Sequence, residues 1–216
     1  MSRTDEAIDP AEAGCQLLLI GPPSYDPARL AGQLDAALAV GGIAGFVLPV
    51  HLARQQGGSL ARQLAPLRAV CAEHATAFLV RDHVGAALEI GADGVHLGGG
   101  AAAVQASRAA LGSERILGVS CGRSRDAAMV AGEAGADYVG FGDLGQRPGH
   151  DLYELLEWWS ELFVLPCLAE AAATVDDCAA LARAGADLVA AGETVWTDPA
   201  GAAAAVRRLC EALKSA

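Results

Sequence analysis

The chain has 216 residues, 53% hydrophobic and 19% charged, a balance that fits one domain with a substantial core and excludes a disordered chain. With 15 Lys and Arg against 26 Asp and Glu, the formal net charge is −11. That field repels phosphate backbones and anionic headgroups, so neither nucleic acid nor membrane is expected as a partner. The apolar runs break at Gly, Asp or Arg well short of the roughly 20 residues a membrane-spanning helix needs, and a soluble, cytoplasmic protein is expected.

Residues 1–14 hold Asp5, Glu6, Asp9 and Glu12 and no apolar segment, which excludes a secretory signal and predicts a flexible acidic tail ahead of a single domain over 15–216. From there, short Val-, Leu- and Ile-rich runs alternate with Ala-rich amphipathic segments, as in parallel strands joined by crossover helices. Strands are predicted at Gln16–Ile20, Gly45–Leu48, Ala77–Val80, Gly94–Leu97, Ile116–Ser120, Tyr138–Phe141, Val164–Leu168 and Leu188–Ala191. Helices are predicted to begin near Pro27, Ser59, His83, Ala101, Ser124, Asp151, Thr174 and Asp198, with Asp26, Ser124, Thr174 and Asp198 as capping residues. The adjacent Trp158 and Trp159 project about 100° apart on the sixth helix. One is expected to pack inward and the other to lie at a subunit interface, in a homodimer. The six cysteines, at 15, 71, 121, 167, 178 and 210, form no Cys-x-x-Cys pair and are expected to be free thiols, mostly in the core.

An internal repeat organises these elements. Gly91-Ala92-Asp93-Gly94-Val95, Gly135-Ala136-Asp137-Tyr138-Val139 and Gly185-Ala186-Asp187-Leu188-Val189 recur at intervals of 44 and 50 residues, with Gly41-Gly42-Ile43-Ala44-Gly45 as a weaker fourth copy. The glycine stops a helix in the left-handed conformation and the Asp is expected to brace the turn into the next strand. Each interval holds two strand-helix units, so the repeat marks quarters of an eight-unit array. The predicted fold is α/β, a single (β/α)8 TIM barrel, in preference to an open doubly wound sheet.

In such a barrel chemistry sits where the strands end. The candidates there are His51, Arg81, Asp82, Ser120, Cys121, Arg123, Asp143, Arg147, His150, Glu170 and Glu193. Polar residues also gather at the loops of any barrel because loops face water. Asp82 suits a cation ligand, an acid-base group or a helix cap. Gly98-Gly99-Gly100 suits an anion cradle or a plain flexible loop. Cys121 sits ahead of a helix, where a thiol pKa can fall, yet no His adjoins it in sequence, so it is read as a small packing residue in preference to a nucleophile. The segment from Asp143 to His150 reads as a lid or as a surface loop. Glu170 and Glu193 follow strands seven and eight, where phosphate often binds in barrels, and two carboxylates would repel it.

The order of Asp93-Gly94-Val95-His96-Leu97-Gly98, Leu117-Gly118-Val119-Ser120 and Gly135-Ala136-Asp137-Tyr138-Val139-Gly140-Phe141-Gly142 resembles the thiamine-phosphate synthases and the related TenI-type thiazole tautomerases. The likeness spans about residues 15 to 213. It implies a barrel that joins a pyrimidine pyrophosphate to a thiazole phosphate with magnesium, releasing pyrophosphate. Against that pattern, Val47-Leu48-Pro49-Val50-His51 stands where the family has Gln-Leu-Arg-Glu-Lys, so its Arg and Lys for pyrophosphate are absent. Arg81-Asp82 replaces Asn-Asp, keeping one metal Asp; the second falls at Ala101. Ser120 matches, but the following Thr-His is Cys121-Gly122. Arg147-Pro148-Gly149-His150 replaces Thr-Pro-Thr-Lys, the glycine pair is Ala171-Ala172 preceded by Glu170, and Val-Ser is Gly192-Glu193.

The resemblance with these departures implies a family member whose synthase reaction is lost or weakened. Its acidic mouth would take a small non-phosphorylated ligand or a protein partner, with no cofactor required. The alternative is an active synthase in which Arg81, Arg123, Arg147 and His150 resupply the positive charge and magnesium is required. A third reading gives new chemistry to Cys121 or His150.

Overall fold

The computed structural model describes residues 14–50, 59–99, 103–171 and 174–216. Eight parallel strands close into a barrel in sequence order: β1 (Gln16–Ile20), β2 (Ile43–Pro49), β3 (Ala77–Arg81), β4 (Gly94–Leu97), β5 (Ile116–Ser120), β6 (Tyr138–Asp143), β7 (Cys167–Ala171) and β8 (Leu188–Ala191). The seam pairs β1 with β8, Gln16 opposite Leu188. Around it run α1 (Pro27–Leu38), α2 (Leu60–Glu73), α3 (Val84–Ile90), α4 (Val104–Leu111), α5 (Arg125–Glu133), α6 (His150–Leu162), α7 (Val175–Arg183), the short α8 (Glu193–Trp196) and α9 (Ala202–Lys214). The closed ring settles the choice against an open sheet. Among the described residues no helix is long and apolar enough to cross a membrane.

Strand residues alternate between two cores, as the period-two geometry requires. Leu17, Leu19, Phe46, Leu48, Phe78, Val80, Val119 and Phe141 face outward into the layer under the helices. Leu18, Ile20, Val47, Leu79, Tyr138, Leu168 and Ala190 fill the barrel itself. Because both faces are buried, the strands read as continuous apolar runs.

The Gly-Ala-Asp repeat has a common bond pattern. Gly91, Gly135 and Gly185 all take positive φ, which ends each helix without a Cβ penalty. The Asp two residues later reaches back to the strand before: Phe78 N–H donates to Asp93 at 2.8 Å, Leu117 N–H to Asp137 at 2.7 Å and Cys167 N–H to Asp187 at 2.8 Å. In the fourth copy no Asp is present, and Leu17 N–H donates instead to the Gly42 carbonyl at 3.0 Å. Asp137 also pairs with Arg108 at 2.6 Å. Replacing Asp137 by Ala strands the Leu117 amide and is expected to cost about 1–3 kcal/mol, read as a lower midpoint in urea unfolding with an unchanged slope.

Several boundaries differ from expectation. β7 runs over Cys167–Ala171 and not Val164–Leu168, because Pro166 has no N–H to give the ladder; Val164 is fully exposed. The last helix begins at Ala202 behind Gly201, while Asp198 accepts from Ala200 N–H and pairs with Arg208. The extra turn α8 lies earlier, directly after β8. Asp26, Ser124 and Thr174 do cap their helices, Thr174 through a reciprocal box with Asp177. Trp159 is buried, stacks on Phe163 at 4.1 Å and donates to the Leu165 carbonyl. Trp158 is partly buried beneath the Arg125 guanidinium, 4.5 Å from its ring centre, so part of its surface is covered within the chain. The predicted tail lies, through residue 13, outside the described residues.

Candidate functional site

The polar centre of the barrel is built by β4, β5, β6 and β7. Alternation points His96, Ser120, Tyr138 and Glu170 to the inner face, and inner-face glycines make room for them. A Cβ on Gly118 would lie 2.0 Å from the Tyr138 ring, and one on Gly140 would lie 2.7 Å from Glu170 Oε2. Only glycine fits at either place.

Within that space His96 is fully buried and Glu170 is 3% exposed. His96 Nε2 lies 3.0 Å from Glu170 Oε1 and 3.0 Å from Ser120 Oγ, and its Nδ1 lies 2.8 Å from the Tyr138 hydroxyl. The Ser120 hydroxyl donates to Glu170 Oε1 at 2.8 Å. A ring protonated at Nε2 satisfies this arrangement: Nε2–H is shared between the carboxylate and Ser120, and Nδ1 accepts from Tyr138. Burial, reinforced by the Glu170 charge, pushes the Tyr138 phenol well above its usual pKa of 10, which keeps it a donor. Ser120 is half-buried and carries the network toward the mouth.

The other predicted residues have partners of their own. Arg81, beside His96 in the β3–β4 ladder, lies 3.5 Å from Asp82. Asp82 has a positive φ and accepts from Gly98 N–H at 2.5 Å, tying the ends of β3 and β4 together. Asp143 accepts from Gly145 N–H and the Gln146 amide, so it holds its own turn. Arg147 pairs with Asp177 at 3.0 Å and Arg123 with Asp151. His150 opens α6, is 89% exposed, and faces Glu154 along its helix at 3.3 Å. The expected Asp143–His150 loop is therefore shorter by one residue at each end, since Asp143 closes β6 and His150 opens α6. His51 lies outside the described residues.

Cys121 is a buried thiol. It packs in the layer under the helices, its Sγ–H donates to the Val119 carbonyl, and burial with the Glu170 charge pushes its pKa up to about 12. A helix N-terminus nearby does not offset loss of water. All six thiols are free and all are raised by burial.

Beside the network a cleft of about 460 Å³ opens between the ends of β1 and β8, walled by Ile20, Pro22, Pro23, Leu144 and Ala190 and edged by Glu193. Leu144 leans into the inner core cluster. The mouth thus holds an apolar cleft with the exposed Glu193 at its rim.

The closed ring of parallel strands with helices between them defines a (β/α)8 barrel, a fold that carries its chemistry at the carboxyl ends of the strands. Residues 17–195 match the family model described as thiamine monophosphate synthase. The chain belongs to that family. It is 42% identical to the thiamine-phosphate synthase of Erythrobacter litoralis over 197 residues, 86% of this chain and 90% of that one. It is 39% identical to that of Rhodospirillum centenum, covering 89% and 94%. The solved thiamine phosphate pyrophosphorylase of Pyrococcus furiosus superposes with a TM-score of 0.77 at 23% identity, covering 93% of this chain and 96% of that one.

The family implies a magnesium ion, and the donor set here does not fit one. Asp82 has one carboxylate oxygen on the Gly98 amide and the other facing Arg81, and the second acidic position is Ala101. Among the described residues no three His, Cys, Asp or Glu side chains gather as a metal site.

His96 and Tyr138 are the site residues missing from the predicted set. The signal was present: His96 is a lone imidazole on the inner face of an otherwise apolar strand, with inner-face glycines on the next two strands leaving it space.

Proposed function

We propose that this member of the thiamine monophosphate synthase family has lost most of the pyrophosphate chemistry and binds a small neutral or cationic ligand at its mouth. The observation that carries this reading is the pairing of the arginines. Arg81, Arg123 and Arg147 each face a carboxylate of this same chain. Each is held by a different carboxylate, whereas rebuilding a pyrophosphate clamp from three guanidinium groups would require them to converge on one point. Glu193 adds an acid at the rim of the cleft, and Glu170 adds a buried acid inside the barrel. A doubly phosphorylated ligand pair would meet carboxylates where backbone donors are needed.

The rival is an active synthase, favoured by the curated relatives of that name and by the retained Asp82 and Ser120. Isothermal titration with inorganic pyrophosphate, with and without magnesium, separates the two. No heat up to millimolar pyrophosphate is expected. Micromolar, magnesium-dependent binding, or turnover of a pyrimidine pyrophosphate with a thiazole phosphate, overturns the proposal.

A further inference from the structure

We infer that Glu170 sets the ligand class of this mouth by acting as a built-in anion. The inference rests on the reading above and names the residue responsible for it. Ser120 on β5 and His96 on β4 are hydrogen-bond donors aimed into the barrel, the kind of groups that receive an anionic oxygen. In this chain both are already engaged, and by the same atom: Glu170 Oε1 sits 2.8 Å from Ser120 Oγ and 3.0 Å from His96 Nε2. An incoming phosphate oxygen would have to displace that carboxylate from its donors or settle beside it, charge against charge, in a region of little water.

What Glu170 leaves over is an acceptor. Among the described residues both of its hydrogen bonds converge on Oε1, while Oε2 lies over the bare α-carbon of Gly140. A carboxylate oxygen there offers lone pairs and no proton. The partner it fits is an N–H-bearing group, neutral or cationic, such as an amidine or an amino-substituted heterocycle. Gly140 completes the arrangement, because any side chain there would collide with Oε2.

The test compares the intact chain with Glu170→Gln and Glu170→Ala, following the ring-nitrogen NMR signals of His96 during titration with inorganic phosphate and, separately, acetamidinium. Gln keeps the volume and the acceptor while removing the charge, so it reports even where the alanine variant does not fold. In Glu170→Gln, phosphate affinity is expected to rise at least tenfold and acetamidinium affinity to fall at least tenfold. An unchanged affinity for either probe overturns the inference. The reading beneath it fails separately: magnesium-dependent pyrophosphate binding by the unsubstituted chain would sink that reading, whereas a tenfold phosphate gain on removing the charge would still mark Glu170 as the selective group.

Discussion

Replacing Gly118 by alanine is expected to unfold the barrel or destabilise it by more than about 3 kcal/mol, the upper end for adding one methyl to a packed core. The added Cβ would lie 2.0 Å from Tyr138 Cζ and 2.3 Å from its hydroxyl. The ring is held in place: it is 5% exposed, stacks on His96 at 5.6 Å and is tied to Nδ1 by its hydroxyl. A second change, Tyr138→Leu, removes the clashing atoms, so the double variant should be more stable than Gly118→Ala alone. Thermal unfolding of the three variants tests this. A singly substituted protein that melts within a few degrees of the parent would mean that the glycine is not there to admit the tyrosine.

The second large effect is expected at His96. Its removal as His96→Ala takes the donor from Glu170 Oε1 and the acceptor from Tyr138 in one step. Leaving a buried carboxylate short of a donor and a buried phenol without its acceptor costs at least about 1–3 kcal/mol, and more where the group is charged. Removing both partners relieves that penalty, so His96→Ala with Glu170→Ala should cost less than the sum of the single changes, with a coupling of about 0.5–3 kcal/mol. Urea unfolding of the four proteins in the cycle measures it. Strict additivity would show that the two side chains lie together without depending on each other.

Much of the fold was legible because it depends on patterns of short range. The Gly-Ala-Asp copies mark helix stops, and the chain following each one must enter a strand, so the eight-unit count could be read directly. Boundaries went astray where one residue outweighed the apolar pattern, as with Pro166, whose missing N–H delays β7, or Gly201, which caps α9 in place of Asp198. The site was less legible. Its members come from four strands, and only Ser120 and Glu170 drew notice, as strand-end residues. His96 and Tyr138 lie inside apolar runs, where a histidine or tyrosine reads as core. What brings them together is the space beside Gly118 and Gly140, a property of glycines on neighbouring strands and not of the residues that use it. The pairing of Arg81, Arg123 and Arg147 with acids on loops and helices likewise depends on tertiary placement.

The aspartate braces also bear on the order in which the barrel assembles. Asp93 reaches back 15 residues, and Asp137 and Asp187 reach back 20 each, so these loops close early and locally. The seam joins Gln16 N–H to the carbonyl of Asp187 at 3.0 Å, a span of nearly the whole chain. Closing it costs about 2 kcal/mol more loop entropy than closing a brace, since that cost grows with the logarithm of length. Sequence-local contacts form first and distant ones last. Asp187 takes part in both, stitching β7 with its side chain and receiving β1 with its backbone. A chain leaving the ribosome can therefore complete its later quarters in turn, while β1 waits for the last of them before the circle closes.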